Sequence, residues 1–476
     1  MKTLPLFLAL AFSIAAFSQS RPPAPFGPCP TEAQLRWQRM EMNMFCHFGP
    51  NTFSGREWGS GTESEDIFNP SNLNCNQWAA VAQAAGFRGI IITAKHHDGF
   101  CLWPNPASTH TVKQSHWQNG QGDVLRDLSN ACRKANLKFG IYISPWDRNA
   151  PTYGTPLYNQ TFKRTLEHAL TQYGPIFEQW FDGACGEGPN GKRQVYDWPL
   201  FNGTVERLQP QALIFSDIGP GCHWMGNENA VNGTTCWSRL STDGYAPGQA
   251  SPSLDVLNQG QPDGSYWIPA EADVSIRPGW FYHPNEEPKS LQQLLSIYYT
   301  SVGRNALLLL NVPPDTRGLI SVADSIRLLQ FRQALNTIFA HDLAQGAHAF
   351  SAQTRGNGLP QFRSANVLDT NYHHYWTVND NCLNPTLQLS FDHPVTFNRV
   401  MLQEYIPLGQ RVSQFEVQIL EGKQWKTLAE ATTIGYKRIL LTQQCTTSAV
   451  RILFKDCRAC PVINRLALFM DNIYQN

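Results

Sequence analysis

The sequence predicts an α/β chain: a (β/α) TIM-like barrel with unevenly spaced units, followed by a C-terminal antiparallel β-sandwich. Three observations predict it. From Trp37 to about His341, short apolar runs alternate with amphipathic segments. That alternation extends over about 300 residues, enough for a barrel, which typically needs ~250. After Gln345 the helical spacing fades, and short alternating strands separated by turn residues take over.

The elements follow in order. Met42 to His47, Gly89 to Thr93, Phe139 to Ser144, Ile176 to Asp182, Leu213 to Asp217 and Leu307 to Val312 are apolar runs of strand length. Between them, Gln77 to Ala85, Val124 to Ala135, Phe162 to Tyr173 and Leu291 to Val302 carry helical periodicity. The stretch Gly219 to Pro269, rich in Gly, Asn, Pro and Ser, is expected to be a long loop over the active face. Beyond it, strands are expected at Thr386 to Phe391, Phe397 to Leu402, Phe415 to Leu420, Lys437 to Leu441 and Val450 to Phe454. They form a sandwich of the galactose-binding-like kind, about 130 residues, an ordinary domain size. The domains are then an export signal over 1–18, a catalytic barrel over 19–345 and the sandwich over 346–476.

The export signal is read from Met1-Lys2, the apolar run Leu4 to Phe17 and the small residues Ala16 and Ser18 before a cut at Gln19. The run is short for a membrane span, and no other stretch approaches the ~20 apolar residues a spanning helix needs. The mature chain is expected to be exported, periplasmic or secreted, with no membrane span. All 12 cysteines lie in that mature region, where disulfides are permitted. Cys46, inside an apolar run, reads as a buried small hydrophobe. A disulfide involving Cys457, Cys460, Cys445 or Cys382 is expected, with its connectivity open.

Composition narrows the partner. Lys+Arg equals Asp+Glu at 37 each, which gives no reason to expect nucleic acid or an anionic membrane. Aromatic residues make up 12% of the chain, a content that suits ring stacking on the apolar faces of sugars, although many of these rings must be core.

Polar groups recur where strands end. His47 closes the first strand, His96 and His97 the second, and Asp182 ends the run Pro175 to Gly183; Tyr142 precedes Ser144 at the end of the third. In a parallel barrel these ends share one face, where active sites are built. An Asp-Gly pair is more often a simple turn, and the neighbouring strand ends are what raise Asp182 above that reading. A metal reading competes, since His47, His96, His97 and Asp182 could supply four ligands. On a regular strand, however, the adjacent His96 and His97 would point to opposite sides, and no metal or other cofactor is expected. The rings can instead bind hydroxyl groups as neutral donors and acceptors.

Hydrolysis of a glycoside commonly needs a second carboxyl. Glu228 is the leading candidate, with Trp224 nearby to desolvate it and keep it protonated. Glu271 and Asp273 are rivals, and Arg277 could pair with either.

Five motifs taken together, His47-Phe48-Gly49, Glu57-Trp58-Gly59, Lys95 to Phe100, Trp180-Phe181-Asp182-Gly183 and Leu310 to Pro314, resemble glycoside hydrolase family 29, the retaining α-L-fucosidases. Trp224 to Glu228 and Glu271 to His283 resemble the subgroup selective for α-1,3- and α-1,4-linked fucose in branched, Lewis-type glycans. The resemblance implies Asp182 as nucleophile and Glu228 as general acid/base. It implies His47, His96 and His97 as fucose-hydroxyl ligands, Trp58 and Tyr142 as pocket residues, and Trp280 against the apolar side of the sugar. It implies no catalytic metal, and a fucosylated oligosaccharide or glycoconjugate as the partner. A fucosidase of broader linkage range, including α-1,2 and α-1,6, and a non-catalytic fucose-binding protein remain the alternatives.

Overall fold

The computed structural model describes residues 21–474. The expected export signal, 1–18, lies outside them. The barrel strands are β1 (Met42–Cys46), β2 (Gly89–Lys95), β3 (Lys138–Ile143), β4 (Glu178–Trp180), β5 (Leu213–Ser216) and β6 (Cys222–Trp224). A short hairpin, β7 (Arg239–Leu240) with β8 (Tyr266–Trp267), precedes the last two, β9 (Ala270–Ser275) and β10 (Leu307–Asn311). Among the described residues, eight parallel strands close in the order β1-β10-β9-β6-β5-β4-β3-β2. β1, β2 and β10 are buried along their whole length, as expected of parallel strands covered on both faces. The helices that cover them start and stop where the chain directs. Asp123 accepts from the Arg126 amide to cap Val124–Lys134, and Gly86, at φ +87°, closes Cys75–Ala85 in the left-handed region.

Two barrel strands have no counterpart in the sequence reading. β6 is three residues long, too short to show a period, and it lies inside the stretch expected to be loop. That stretch also holds the β7–β8 hairpin and the helix Leu254–Gln259. β9 is Ala-Glu-Ala-Asp-Val-Ser, whose Ala270, Ala272 and Val274 pack in the main barrel core. Glu271 and Asp273 take the other face of that strand, so no apolar run is visible. β4 ends at Trp180, so Asp182 stands two residues beyond the strand rather than on it.

The C-terminal strands are β11 (His348–Phe350), β12 (Trp376–Thr377), β13 (Thr386–Glu404), β14 (Val412–Glu421), β15 (Gln424–Thr432), β16 (Arg438–Cys457) and β17 (Val462–Phe469). They are antiparallel, in the order β12-β17-β13-β16-β14-β15, with β11 on β13. Where the sequence suggested separate strands, 386–391 with 397–402 and 437–441 with 450–454, the chain runs on as β13 and β16. The apparent breaks are register shifts, at Ser390/Val395 and Phe397/Arg399. The core of this domain is apolar and separate, with Trp376, Leu387, Val400, Phe415 and Ile452 at its centre.

The domain is tied to the barrel by polar contacts. The Tyr436 amide donates to Asn305 Oδ1 at 2.7 Å, and the buried Arg399 guanidinium meets Asp471 at 2.9 Å and Tyr299 at 3.2 Å. Asn305 precedes β10, at the end of the barrel opposite the strand C-termini. The expected disulfide is not formed: all twelve cysteines are free thiols. Cys457 and Cys460 are buried, with Cys460 Sγ accepting from Arg411 at 3.4 Å, and they serve as small core residues. Among the described residues no helix is long and apolar enough to cross a membrane.

Candidate active site

The strand C-termini surround a cleft of about 150 Å³. Its floor is aromatic. Trp180, the last residue of β4, stacks on Phe215 with centroids 3.9 Å apart and on Tyr142 at 5.1 Å. The parallel register that pairs Trp180 with both residues fixes this arrangement.

Asp182 follows that floor. Its Oδ2 accepts from the Tyr142 hydroxyl at 3.0 Å and lies 3.8 Å from His97 Nε2, while Oδ1 accepts from the Ala184 amide at 2.7 Å. The glycine after it has a packing reason. A Cβ on Gly183 would sit 1.7 Å from Asp217 Oδ2, so Asp217 occupies the space a side chain would need. Burial, and then the Asp182 charge, push the Asp217 carboxyl up to about 7.

The histidines are neutral. Burial lowers His47 to about 3 against the hydrogen bond it donates to Asn311, and lowers His97 to about 4 against the Asp182 charge; His96 is held well below the usual imidazole range, again by burial. The hydrogen-bond network assigns their tautomers. Asn311 Nδ2 donates to Ser275 Oγ and to the Trp280 carbonyl, so its Oδ1 accepts from His47 Nδ1 at 2.9 Å. His47 Nε2 is then an acceptor. Asn51 Nδ2 shares its two N–H groups among the Glu57 carbonyl, Asp98 and His96 Nδ1 at 3.4 Å; with Nδ1 as acceptor, His96 Nε2 is a donor. With centroids 5.9 Å apart, these two rings offer one acceptor and one donor, the complement of neighbouring sugar hydroxyls. His96 and His97 sit side by side, centroids 4.1 Å apart, rather than on opposite sides. The strand ends at Lys95 and the chain turns at once, so strand alternation does not govern them.

Glu228 lies in the loop after β6. It is exposed at the mouth, and its Oε2 accepts from the Trp280 indole at 3.2 Å. The desolvation expected from Trp224 is therefore not present in the free protein, and the tryptophan that contacts Glu228 is a different one. Trp58, 59% exposed, meets His97 and Trp146 edge-on at the rim. Trp280 lies 5.0 Å from the His47 ring.

Deeper still, Glu178 Oε2 accepts from the Trp37 indole at 2.8 Å, and Glu271 Oε1 accepts from the Trp180 indole at 2.9 Å. With Cys222 they form the one group of His, Cys, Asp and Glu donors among the described residues tight enough to hold an ion, all within 4.8 Å. It lies beneath the cleft, away from the histidines. Two such carboxyls cannot both be ionised at this distance, and burial pushes Glu178 up to about 7 and Glu271 well above the usual range, so they share a proton. Glu271, a rival for the acid, is occupied by this role.

A nucleophile-type carboxylate, a second carboxyl at the rim and neutral imidazoles below suit glycoside chemistry. Residues 29–337 match the α-L-fucosidase family, and residues 347–464 match the F5/8 type C domain. The chain belongs to the α-L-fucosidase family, glycoside hydrolase family 29. Alpha-L-fucosidase 1 of Arabidopsis thaliana is 42% identical over 453 residues, covering 94% of this chain and 89% of its own. The GH29 fucosidase of Ruminococcus gnavus, solved in complex with fucose, superposes with a TM-score of 0.88 at 30% identity, covering 96% of this chain and 98% of its own. SpGH29 gives 0.90 at 34% identity, covering 94% and 100%. The activity is hydrolysis of α-L-fucosides, and fucosylated molecules are the substrates.

In this fucosidase the cleft brings together all eight residues singled out from the sequence: His47, Trp58, His96, His97, Tyr142, Asp182, Glu228 and Trp280. Sequence reasoning missed Glu57 as a cleft residue, although it quoted its motif. The Glu57 carboxylate accepts from the Trp280 amide at 2.9 Å and meets His283 Nε2 at 2.6 Å, so it ties the loop after β1 to the loop after β9. A Glu beside a Trp in a Gly-bounded loop was the available signal.

Proposed function

We propose that the protein is a retaining exo-α-L-fucosidase that removes terminal α-1,3- or α-1,4-linked L-fucose from branched, Lewis-type oligosaccharides or glycoconjugates. Asp182 attacks the anomeric carbon while protonated Glu228 supports departure of the aglycone. The same Glu228 then deprotonates the water that releases fucose with retained configuration. The observation that carries this reading is that Asp182 and Glu228 line one cleft from different loops, with Asp182 deep against Tyr142 and Glu228 at the rim. The nucleophile is thus half-buried at the aromatic floor where the sugar would sit, and the acid stands where the leaving group departs. The exposed Glu228 is desolvated by the incoming substrate rather than by the fold. The linkage preference draws support from the Glu271-to-His283 segment, whose Trp280 contacts Glu228 at that rim. The apolar N-terminus supports export to the periplasm or beyond.

The test combines substrates and variants. Lewis-type trisaccharides should release fucose and 2'-fucosyllactose should not; release from both means a broad linkage range. Asp182→Ala should lose at least ~10³-fold in turnover, with azide restoring it and giving a product of inverted configuration. Glu228→Ala should impair natural glycans far more than activated aryl fucosides. Azide products of retained configuration would overturn the nucleophile assignment.

A further inference from the structure

Asp273 is the third carboxyl of the cleft, and the reaction above leaves it unused. It stands on β9, is only 4% exposed and lines the cleft with Asp182 and Glu228. Its Oδ1 is sealed from solvent with no hydrogen-bond partner among the described residues. The groups that face it are Glu228, Asp182 and the Trp224 side chain. Glu271, two positions earlier on the same strand, adds a further carboxyl below. Among the described residues no Lys or Arg lines the cleft. A charged carboxylate there would be buried, without a cationic partner in the cleft and set against two others.

We propose that Asp273 is a substrate-binding residue, whose carboxyl hydrogen-bonds the fucose hydroxyl next to the anomeric carbon. The placement rests on the reading of Asp182 and Glu228 as the pair that straddles that carbon: a group facing both stands beside it. The substituents there are the ring oxygen and the 2-hydroxyl, and only the hydroxyl can both give and take a hydrogen bond. Oδ1 is the sealed oxygen without a partner, so Oδ2, which also meets the Trp224 indole, is the atom left to reach the sugar. Burial, and then the Glu228 charge, hold Asp273 well above the usual carboxylate range. It therefore meets the sugar as a neutral acid, with Oδ2–H donating and Oδ1 as a buried carbonyl oxygen.

The experiment reads binding, not turnover, so it is independent of whether the catalytic assignments stand. L-fucose and 2-deoxy-L-fucose are titrated calorimetrically into the native protein, Asp273→Ala and Asp273→Asn. Asp273→Ala should weaken L-fucose about tenfold, as loss of one buried hydrogen bond does. Asp273→Asn, which keeps shape and a donor without a charge, should recover affinity to within about threefold. The Ala penalty should vanish for 2-deoxy-L-fucose. An equal penalty for both sugars, unchanged L-fucose affinity in Asp273→Ala, or Asp273→Asn as weak as Asp273→Ala would each overturn the proposal.

Discussion

His97 offers a direct test of the claim that the cleft histidines are neutral by burial. The ring is 3% exposed, and it is held at about 4 rather than the ordinary 6.5. Burial dominates; the Asp182 charge opposes it, and Lys95 and Arg148 reinforce it. Between pH 6.5 and 4 the unfolded chain therefore binds a proton that the folded protein refuses. The folded pKa is depressed, so this site makes stability fall as the pH drops through that window, and the fall levels off below about 4. The difference of about 2.5 pKa units corresponds to about 3 kcal/mol when the window is crossed completely. In His97→Asn the titrating ring is gone. The variant is less stable than the native protein at pH 7, because Ser144 Oγ loses its 2.8 Å partner, but its handicap should shrink by about 3 kcal/mol as the pH is lowered past 4. Urea unfolding followed by tryptophan fluorescence, at intervals from pH 7 down to the acid limit, measures both proteins. Parallel stability curves across the window would refute the reasoning, since they would mean that His97 titrates alike in both states.

Three further outcomes follow from the packing around the cleft. Gly183→Ala should cut turnover by at least ~10²-fold with little loss of fold, because a Cβ 1.7 Å from Asp217 Oδ2 must displace the loop that carries Asp182; steady-state kinetics beside a thermal melt separates the two effects. Glu271→Ala should cost about 1–3 kcal/mol, since it leaves the Trp180 indole and Glu178 without their buried partner. Glu271→Gln, which still offers an oxygen to Trp180 and a donor to Glu178, should cost less than half of that in the same urea titration.

Much of the site was legible because barrel geometry turns sequence order into spatial convergence. Once the runs ending near His47, His96, Tyr142 and Asp182 are read as parallel strands, their ends must share a face. The failures have equally local causes. β6 is shorter than any period, so a loop was expected over Gly219 to Pro269, and β9, just beyond it, was missed because it carries carboxyls where a strand reader looks for apolar residues. The alternation argument failed at His96 and His97 because the strand ends at Lys95, one residue before it would have applied. Trp224 is close to Glu228 in sequence, yet the indole that reaches the carboxylate is that of Trp280, 52 positions away.

The sequence by itself determined the α/β barrel followed by a β domain, the family and eight of the residues of the cleft, because each is written in short-range patterns: apolar runs, turn residues and motifs at strand ends. Only the tertiary structure decided the protonation and hydrogen-bonding roles of those residues. It set His47 as acceptor and His96 as donor, gave Glu178 and Glu271 a shared proton, left Glu228 exposed at the rim and sealed Asp273 beside it. Those properties depend on burial and on partners brought from other strands, and neither is a property of neighbours along the chain.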